Sequence, residues 1–241
     1  MVSELLTTFP TNSLSWDQLV ENQDSSLKNL HYGLIHNGFE TTCITGENQL
    51  FPYIKHSFIP TKYALIQNGD LILADASEDR KDVGRPVEML DIGNQKIVSG
   101  LHTIHARNKT DLIVNGFKGF YFQSSAMKQQ IFKIANGSKI YGISSSAFSE
   151  LKMFIPEKQE QKKIVDMMIK IEERIQTQSK IIDRLYSQIK SIKGQILNMT
   201  TITETKPLGQ LCNISTGKRD ANEMKSNGSY KFLLVQKTII V

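Results

Sequence analysis

One amphipathic segment near the C-terminal end constrains this chain of 241 residues more than any other feature. From Pro156 to Met199 the sequence has no further proline and a single glycine. Apolar residues recur there at alternating steps of four and three, which is the period of a coiled coil. We therefore predict one long helix over residues 156–200. Its seam consists of Ile164, Met168, Ile171, Ile175, Gln178, Ile182, Leu185, Ile189, Ile192, Ile196 and Met199.

This helix needs a partner, because a lone helix cannot bury its own apolar stripe. At about 1.5 Å per residue the seam spans roughly 54 Å. Gln178 is the polar member of the seam, and a buried polar residue at such a position can fix the register of two helices. The other interpretation is that Gln178 faces a gap in the interface. Pro156 suits a first helical turn, and Glu157 and Glu160 complement the positive end of the helix dipole.

Residues 1–155 have a different sequence pattern, in which short apolar runs alternate with Gly, Asn and Asp. Apolar runs of this length between such residues are typical of strands. Residues 124–135 instead place Met127, Ile131 and Ile134 at helical spacing. The predicted fold class is therefore α+β, with one globular, β-rich domain containing short helices, followed by a long coiled-coil helix. The predicted strands lie within residues 63–66, 71–74, 96–101 and 112–122.

Composition sets outer limits on function. The formal net charge of +5 is compatible with a nucleic-acid partner. There is no apolar run of about 18 residues and no signal-peptide pattern, so we expect a cytoplasmic protein without membrane contact. The two cysteines, Cys43 and Cys212, are too few for a disulfide framework or a four-ligand zinc site. Neither a G-x-x-x-x-G-K-[ST] loop nor a G-x-G-x-x-G turn is present, so we expect this chain to bind no cofactor.

Residues 73–85, LADASEDRKDVGR, gather four acidic and three basic side chains in this basic protein. The run lacks the alternation of a strand, and we expect a loop after a buried strand. Asp75 and Ser77 are suited to hydrogen-bond the backbone of its turn. Glu78 and Asp79 are expected to pair with the basic residues of the same run.

A magnesium-dependent nuclease is a second interpretation of this region. Asp70 and Asp79 would converge on the metal, with Lys81 beside the attacking water. We expect no such metal site, because the second carboxylate lies in a loop rather than on a strand. His102 and His105 are also poor joint ligands, since a spacing of three places them on opposite faces of a strand.

Several basic segments are interleaved with aromatic residues and indicate contacts with DNA. Lysine and arginine neutralise phosphates, and polar side chains can read base edges. The alternative is a solvated surface with aromatic core residues behind it. The predicted DNA-binding residues are Lys55, Lys62, Arg80, Lys81, Arg85, His105, Arg107, Lys139, Tyr141 and Ser144.

Four ordered segments resemble the DNA-specificity (S) subunit of type I restriction–modification enzymes: GDLILADASEDRKDVGRPVEM, KIVSGLHTIHARN, GSKIYGISSSAFSELKMFIP and EKQEQKKIVDMMIKIEERI. The resemblance covers roughly residues 30–200. It implies target-recognition domains that each read half of a bipartite DNA site, and two long helices that pair antiparallel and set the half-site separation. It also implies no catalysis by this chain. Methyltransferase subunits using S-adenosylmethionine methylate the DNA, and restriction subunits using ATP and Mg²⁺ cleave it.

The chain departs from the family pattern in its extent. We predict one complete recognition domain at 1–155, one helix at 156–200, and the stub of a second domain at 201–241. Such a half-length subunit is expected to form a homodimer through antiparallel helices and to read an inverted repeat of double-stranded DNA. A strut of about 54 Å covers about 16 base pairs at 3.4 Å each. The rival class is a coiled-coil interaction protein without DNA specificity.

Overall fold

A computed structural model describes residues 1–22, 24–45, 51–199 and 206–213. Within these ranges the fold is α+β, as predicted. The strands are Leu6–Phe9 (β1), Leu19–Val20 (β2), Leu27–Leu30 (β3), Cys43–Thr45 (β4), Tyr53–Ile54 (β5), Leu71–Ala74 (β6), Ala76–Ser77 (β7), Pro86–Asp91 (β8), Lys96–Ser99 (β9), Thr103–Asn108 (β10) and Tyr141–Gly142 (β11). The α-helices are Val2–Leu5 (α1), Tyr32–Asn37 (α2), Phe117–Gln123 (α3), Ser125–Ile134 (α4), Ser145–Ser149 (α5), Lys158–Met199 (α6) and Leu208–Leu211 (α7).

Two sheets organise the domain around the strand β6. The first has the order β1-β10-β6-β8-β4 and is antiparallel except where β8 meets β4. The second has the order β2-β5-β3-β9, and a short ladder joins β7 to β11. In β6, Leu71 and Leu73 contribute to one hydrophobic core, whereas Ile72 and Ala74 contribute to another. The run LILA is therefore apolar throughout because this strand is buried on both faces.

The strand predicted within residues 112–122 is wrong, because this segment leads into α3. Gly116 precedes the helix with a φ of 91°, a conformation that favours glycine. The buried Glu88 carboxylate accepts hydrogen bonds from the backbone amides of Gly116 (2.8 Å) and Gly119 (2.7 Å). Lys118 Nζ lies 2.8 Å from Glu88 Oε1, and both side chains are buried. A paired carboxylate therefore caps the positive end of α3.

The other predicted elements of the domain have mixed outcomes. The strands within 71–74 and 96–101 are present as β6 and β9, and the predicted helix is α4. The strand predicted at 63–66 is wrong, because Leu65 makes only an isolated bridge to Val98. The carbonyl oxygen of Leu65 instead accepts a hydrogen bond from Arg107 Nη2 at 2.9 Å.

The helix α6 is anchored in the domain by a buried amide side chain. Gln161 is fully buried. Its Oε1 accepts from the Val114 amide at 2.9 Å, and its Nε2 donates to the carbonyl oxygens of Leu112 (2.9 Å) and Pro156 (2.8 Å). These three bonds satisfy backbone groups from both the domain and the start of the helix.

The apolar seam of α6 divides into two parts. Ile164 and Met168 pack against the first hydrophobic core, so these two residues serve the chain's own domain. This corrects the prediction that they belong to an interface with a second helix: the start of α6 covers the side of the core beside Gly116. Further along, Glu172 Oε1 accepts from the Thr42 amide at 2.9 Å. The remaining seam residues with described side chains are exposed, namely Ile171, Ile175, Gln178, Ile182, Leu185, Ile189, Ile192 and Ile196.

A buried charge network fixes β10 against β6. The Asp70 carboxylate is fully buried and accepts from Arg107 Nε and Nη2, each at 2.7 Å, and from His105 Nε2 at 2.7 Å. Burial alone raises the pKa of Asp70, but hydrogen bonds from Arg107, His105 and the Gln67 amide outweigh it and hold the pKa below its ordinary value. The prediction that His105 contacts DNA is wrong, because its side chain is fully buried in this network.

The chain divides into two compact units, Met1–Arg184 and Leu185–Val241. The predicted boundaries at 155 and 200 stay predictions, and most of the predicted stub at 201–241 lies outside the described residues. In the part of the chain that is described, no helix is long and apolar enough to cross a membrane.

Gln161→Leu is expected to lower the free energy of unfolding by about 2–4 kcal/mol, because it leaves two carbonyls and one amide without their partner. Urea unfolding of the full chain measures this loss. The control Gln159→Leu, on the exposed side of the same turn, should change stability by less than about 0.5 kcal/mol. Equal effects of the two variants would contradict the anchoring role.

Asp70 is expected to make stability depend on pH. A pKa below that of the unfolded chain stabilises the fold above the ordinary aspartate pKa, and this stabilisation is lost as the pH falls through the lower folded-state value. Asp70→Asn should cost about 3 kcal/mol at pH 7 and flatten the acid limb of the stability curve. Urea unfolding from pH 7 to pH 3 measures both effects, with Asp166→Asn on the exposed face of α6 as control. Parallel curves for the wild type and Asp70→Asn would refute this account.

Candidate nucleic-acid interface

The charged loop, residues 75–85, is a turn built largely by its own side chains. It follows β6, and its first part is β7, which pairs with β11. Ser77 Oγ accepts from the Asp79 amide at 3.1 Å, and Asp79 Oδ1 accepts from the Lys81 amide at 2.8 Å. The predicted role of Ser77 is thus confirmed, and the predicted loop is present at residues 78–85, whereas Ala76 and Ser77 form β7.

Asp82 makes the close charge contacts of this loop. Its carboxylate lies 2.6 Å from His36 Nδ1 on α2 and 3.8 Å from Arg85 Nη1. Arg85 also donates to the carbonyl oxygen of His36 at 2.9 Å. Among the described residues these contacts replace the predicted pairing of Glu78 and Asp79, because Asp82 faces α2 whereas the other two acids are exposed.

Arg80 lies on the other side of the loop, against α4 and β11. Its guanidinium carbon is 4.0 Å from the ring centroid of Phe132 and 5.7 Å from that of Tyr141. Nη2 donates to the carbonyl oxygen of Phe132 at 3.0 Å, and Nε is buried with no hydrogen-bond partner in the described structure. Stacking of this kind holds a guanidinium flat and preorganises it for a phosphate or a base edge.

A groove of about 700 Å³ opens between the charged loop and α4. The buried residues Val83 and Ile131 form its floor, together with the ring of Phe132. We call it the basic groove, because four of its lining residues are cationic: Arg80, Lys81, Lys128 and Lys133. This concentration of positive charge suits the phosphate backbone of DNA, and the apolar floor offers a surface for sugars and bases.

Sequence reasoning missed Lys128, Gln129 and Lys133, which α4 contributes to the groove. The helical spacing of Met127, Ile131 and Ile134 predicted only the apolar face of this helix. The sequence did contain an indication of a basic and aromatic helix face, because Lys128 and Phe132 lie four residues apart and therefore share one face of a helix.

The remaining predicted DNA-binding residues occupy different places. Lys139 is exposed in the turn before β11, and Ser144 begins α5 by accepting a hydrogen bond from the Ala147 amide at 3.1 Å. Lys55 donates to the carbonyl oxygen of Asp17, and Lys62 is exposed in the segment before β6. None of these four residues lines the basic groove as described.

An Asp–His pair flanks the charged loop on the side of α2. His102 Nδ1 lies 3.3 Å from Asp75 Oδ1, and its ring meets Tyr32 edge-on at 5.2 Å between centroids. The rings of Trp16 and His31 are 4.5 Å apart nearby. Burial raises the pKa of Asp75 and is only partly offset by His102. Burial, with a smaller contribution from the charge of His102, lowers the pKa of His31 to about 4.

The geometry does not fit the magnesium nuclease. The oxygens of Asp70 are already held by Arg107 and His105, whereas Asp79 follows the opposite end of β6. Two carboxylates at opposite ends of one strand do not converge on a shared cation. Within the described ranges no three His, Cys, Asp or Glu side chains form a group that could hold a metal ion.

Comparison with known families gives a match over more than half of the chain. The model of the type I restriction modification DNA specificity domain matches residues 49–187. A search of curated proteins gave no significant match.

The chain is similar to several solved structures, which include the following three. A chain from a structure on complex assembly and conformational transition of the type I R-M system has 15% identity and a TM-score of 0.55, with 82% of this chain and 43% of that chain covered. The HsdS subunit from Thermoanaerobacter tengcongensis has 14% identity and a TM-score of 0.51, with 82% and 42% covered. The S subunit from M. genitalium has 12% identity and a TM-score of 0.48, with 76% and 40% covered.

This chain therefore spans about two fifths of the length of these structural relatives. The matched residues 49–187 include the charged loop, the basic groove and the start of α6. The chain belongs to the family of type I restriction modification DNA specificity domains.

Proposed function

We propose that this chain recognises a specific DNA sequence and directs the methyltransferase and restriction subunits of a type I system to it. The family match over residues 49–187 carries this proposal. Specificity subunits of this family are generally non-catalytic, and we assign methylation and cleavage to the partner subunits. Those partners use S-adenosylmethionine, ATP and Mg²⁺, and this chain binds none of the three.

The basic groove is the proposed contact with the DNA backbone. Lys128 and Lys133 are exposed, so their ammonium groups can reach phosphates without breaking internal contacts. Arg80 is already stacked and oriented by Phe132. Such contacts supply salt-dependent affinity that is nearly independent of sequence.

A second copy of this chain is the proposed partner of the exposed seam. From Ile171 to Ile192 the apolar seam residues are 43–60% exposed, which is costly for so many branched apolar side chains unless another helix covers them. Antiparallel pairing of two identical helices gives C₂ symmetry and therefore an inverted-repeat site. The two readers are then held apart by a fixed length of helix.

Lys128→Gln and Lys133→Gln should each weaken binding to all duplexes by a similar factor. Each should also reduce the slope of log Kobs against log salt by about 1, because one phosphate contact is lost. Fluorescence anisotropy between 50 and 200 mM salt measures both quantities. Lys96→Gln, on β9 outside the groove, is the control. Unchanged slopes in both groove variants would contradict this interface, and a wild-type chain without salt-dependent DNA binding would favour the plain coiled-coil protein.

Ile182→Asp should convert the dimer to a monomer, because it places an unpaired carboxylate in the middle of the seam. Light scattering or native mass spectrometry at micromolar concentration reports the change. Ser187→Asp introduces the same charge on the side of α6 away from the seam and should leave the dimer intact. A monomeric wild type, or an unchanged mass in Ile182→Asp, would refute the pairing.

A further inference from the structure

His102 has an unusual backbone conformation for its side chain. It lies in the turn between β9 and β10 with a φ of 53°, and no other non-glycine residue of the described ranges has a positive φ. Glycine adopts this conformation without strain, whereas a residue with a Cβ does not. Strain of this kind is kept where a side chain is needed at that point.

The backbone holds His102 rigidly beside Asp75. The Asp75 amide donates to the carbonyl oxygen of His102 at 3.0 Å, and the Ile143 amide donates to the carbonyl oxygen of Asp75 at 2.9 Å. The two side chains thus start from fixed positions, with His102 Nδ1 3.3 Å from Asp75 Oδ1. The edge-on contact of the His102 ring with Tyr32 restricts the imidazole further.

Both members of this pair remain open to a ligand. The side chain of His102 is 49% exposed and that of Asp75 is 29% exposed. This contrasts with the Asp70–His105 pair, in which both side chains are fully buried. A strained, exposed and preorganised Asp–His pair can recognise a molecule, whereas the buried pair can only stabilise the fold.

We propose that Asp75 and His102 read one base pair of the target by its exocyclic amino group, which is N4 of cytosine or N6 of adenine. The carboxylate of Asp75 accepts the amino hydrogen, and it repels the carbonyl oxygens that guanine and thymine present in the major groove. His102 orients the carboxylate. This inference rests on the proposed function, to which it adds residues that determine specificity.

The charged loop connects this pair to the basic groove. Asp75 opens the loop, and Arg80 and Lys81 lie five and six residues further along it. The loop is held on one side by His36 and on the other by Phe132. This turn therefore carries cations that contact the DNA backbone and a carboxylate that distinguishes bases. Sequence-specific DNA-binding proteins combine these two kinds of contact.

Selection of duplexes from a random-sequence pool by the full chain tests the proposal, with thermal unfolding measured on the same samples. His102→Gly should unfold at a higher temperature, because the strain is relieved, yet lose on the order of tenfold preference at one base pair of each half-site. Asp75→Asn should change the base preferred at that same position, because a carboxamide both donates and accepts. Lys128→Gln should keep the wild-type sequence preference with lower affinity.

The outcomes of this selection distinguish a failure of the proposed base reading from a failure of the proposed function. A stable His102→Gly protein with the wild-type preference overturns the proposed base reading and leaves the proposed function intact. If His102→Gly fails to fold, Asp75→Asn decides, and an unchanged preference in that variant overturns the reading. A wild-type chain that selects no sequence overturns both the proposed function and the inference that rests on it.

Discussion

The buried carboxylate of Asp70 is the interaction on which the recognition domain depends. An ionised group in the core must be paired, and its partners His105 and Arg107 both lie on β10. Their spacing fixes the register in which β10 meets β6, where His105 opposes Ile72 and Thr103 opposes Ala74. The same ladder ends beside the turn that carries His102 and the loop that begins at Asp75. The geometry proposed for base reading is therefore set by a charge network at the other end of the strand.

Acidic and basic side chains have separate tasks in this basic protein. Asp70 and Glu88 are buried and paired, where they hold a strand and cap a helix. Asp82 ties the charged loop to α2. Lys128 and Lys133 instead point their charge to solvent beside an apolar floor. The carboxylates of this run are thus explained by the contacts that hold the loop in place, and a catalytic metal is not required to account for them.

Periodicity predicted the parts of the structure that local pattern controls. The long helix, the buried strand β6 and the helix α4 follow from apolar spacing, and the loop follows from turn chemistry. The strand predicted within 112–122 failed because Glu88, distant in sequence, caps a helix there. The prediction that His105 contacts DNA was wrong because the sequence around His105 does not reveal its buried partner Asp70, which lies 35 residues earlier in the chain. Ile164 and Met168 were predicted to contact a second helix, because a heptad pattern shows which residues are apolar but does not show which surface covers them. The basic groove needed two separate segments to be brought together.

The most direct test of the central claim combines the purified chain with its methyltransferase subunit and S-adenosylmethionine on genomic DNA, followed by mapping of methylated bases at single-base resolution. Methylation should be confined to one bipartite sequence with inverted-repeat halves, and neither component alone should methylate the DNA. Methylation scattered over unrelated sequences, or the same pattern in the absence of this chain, would contradict the central claim.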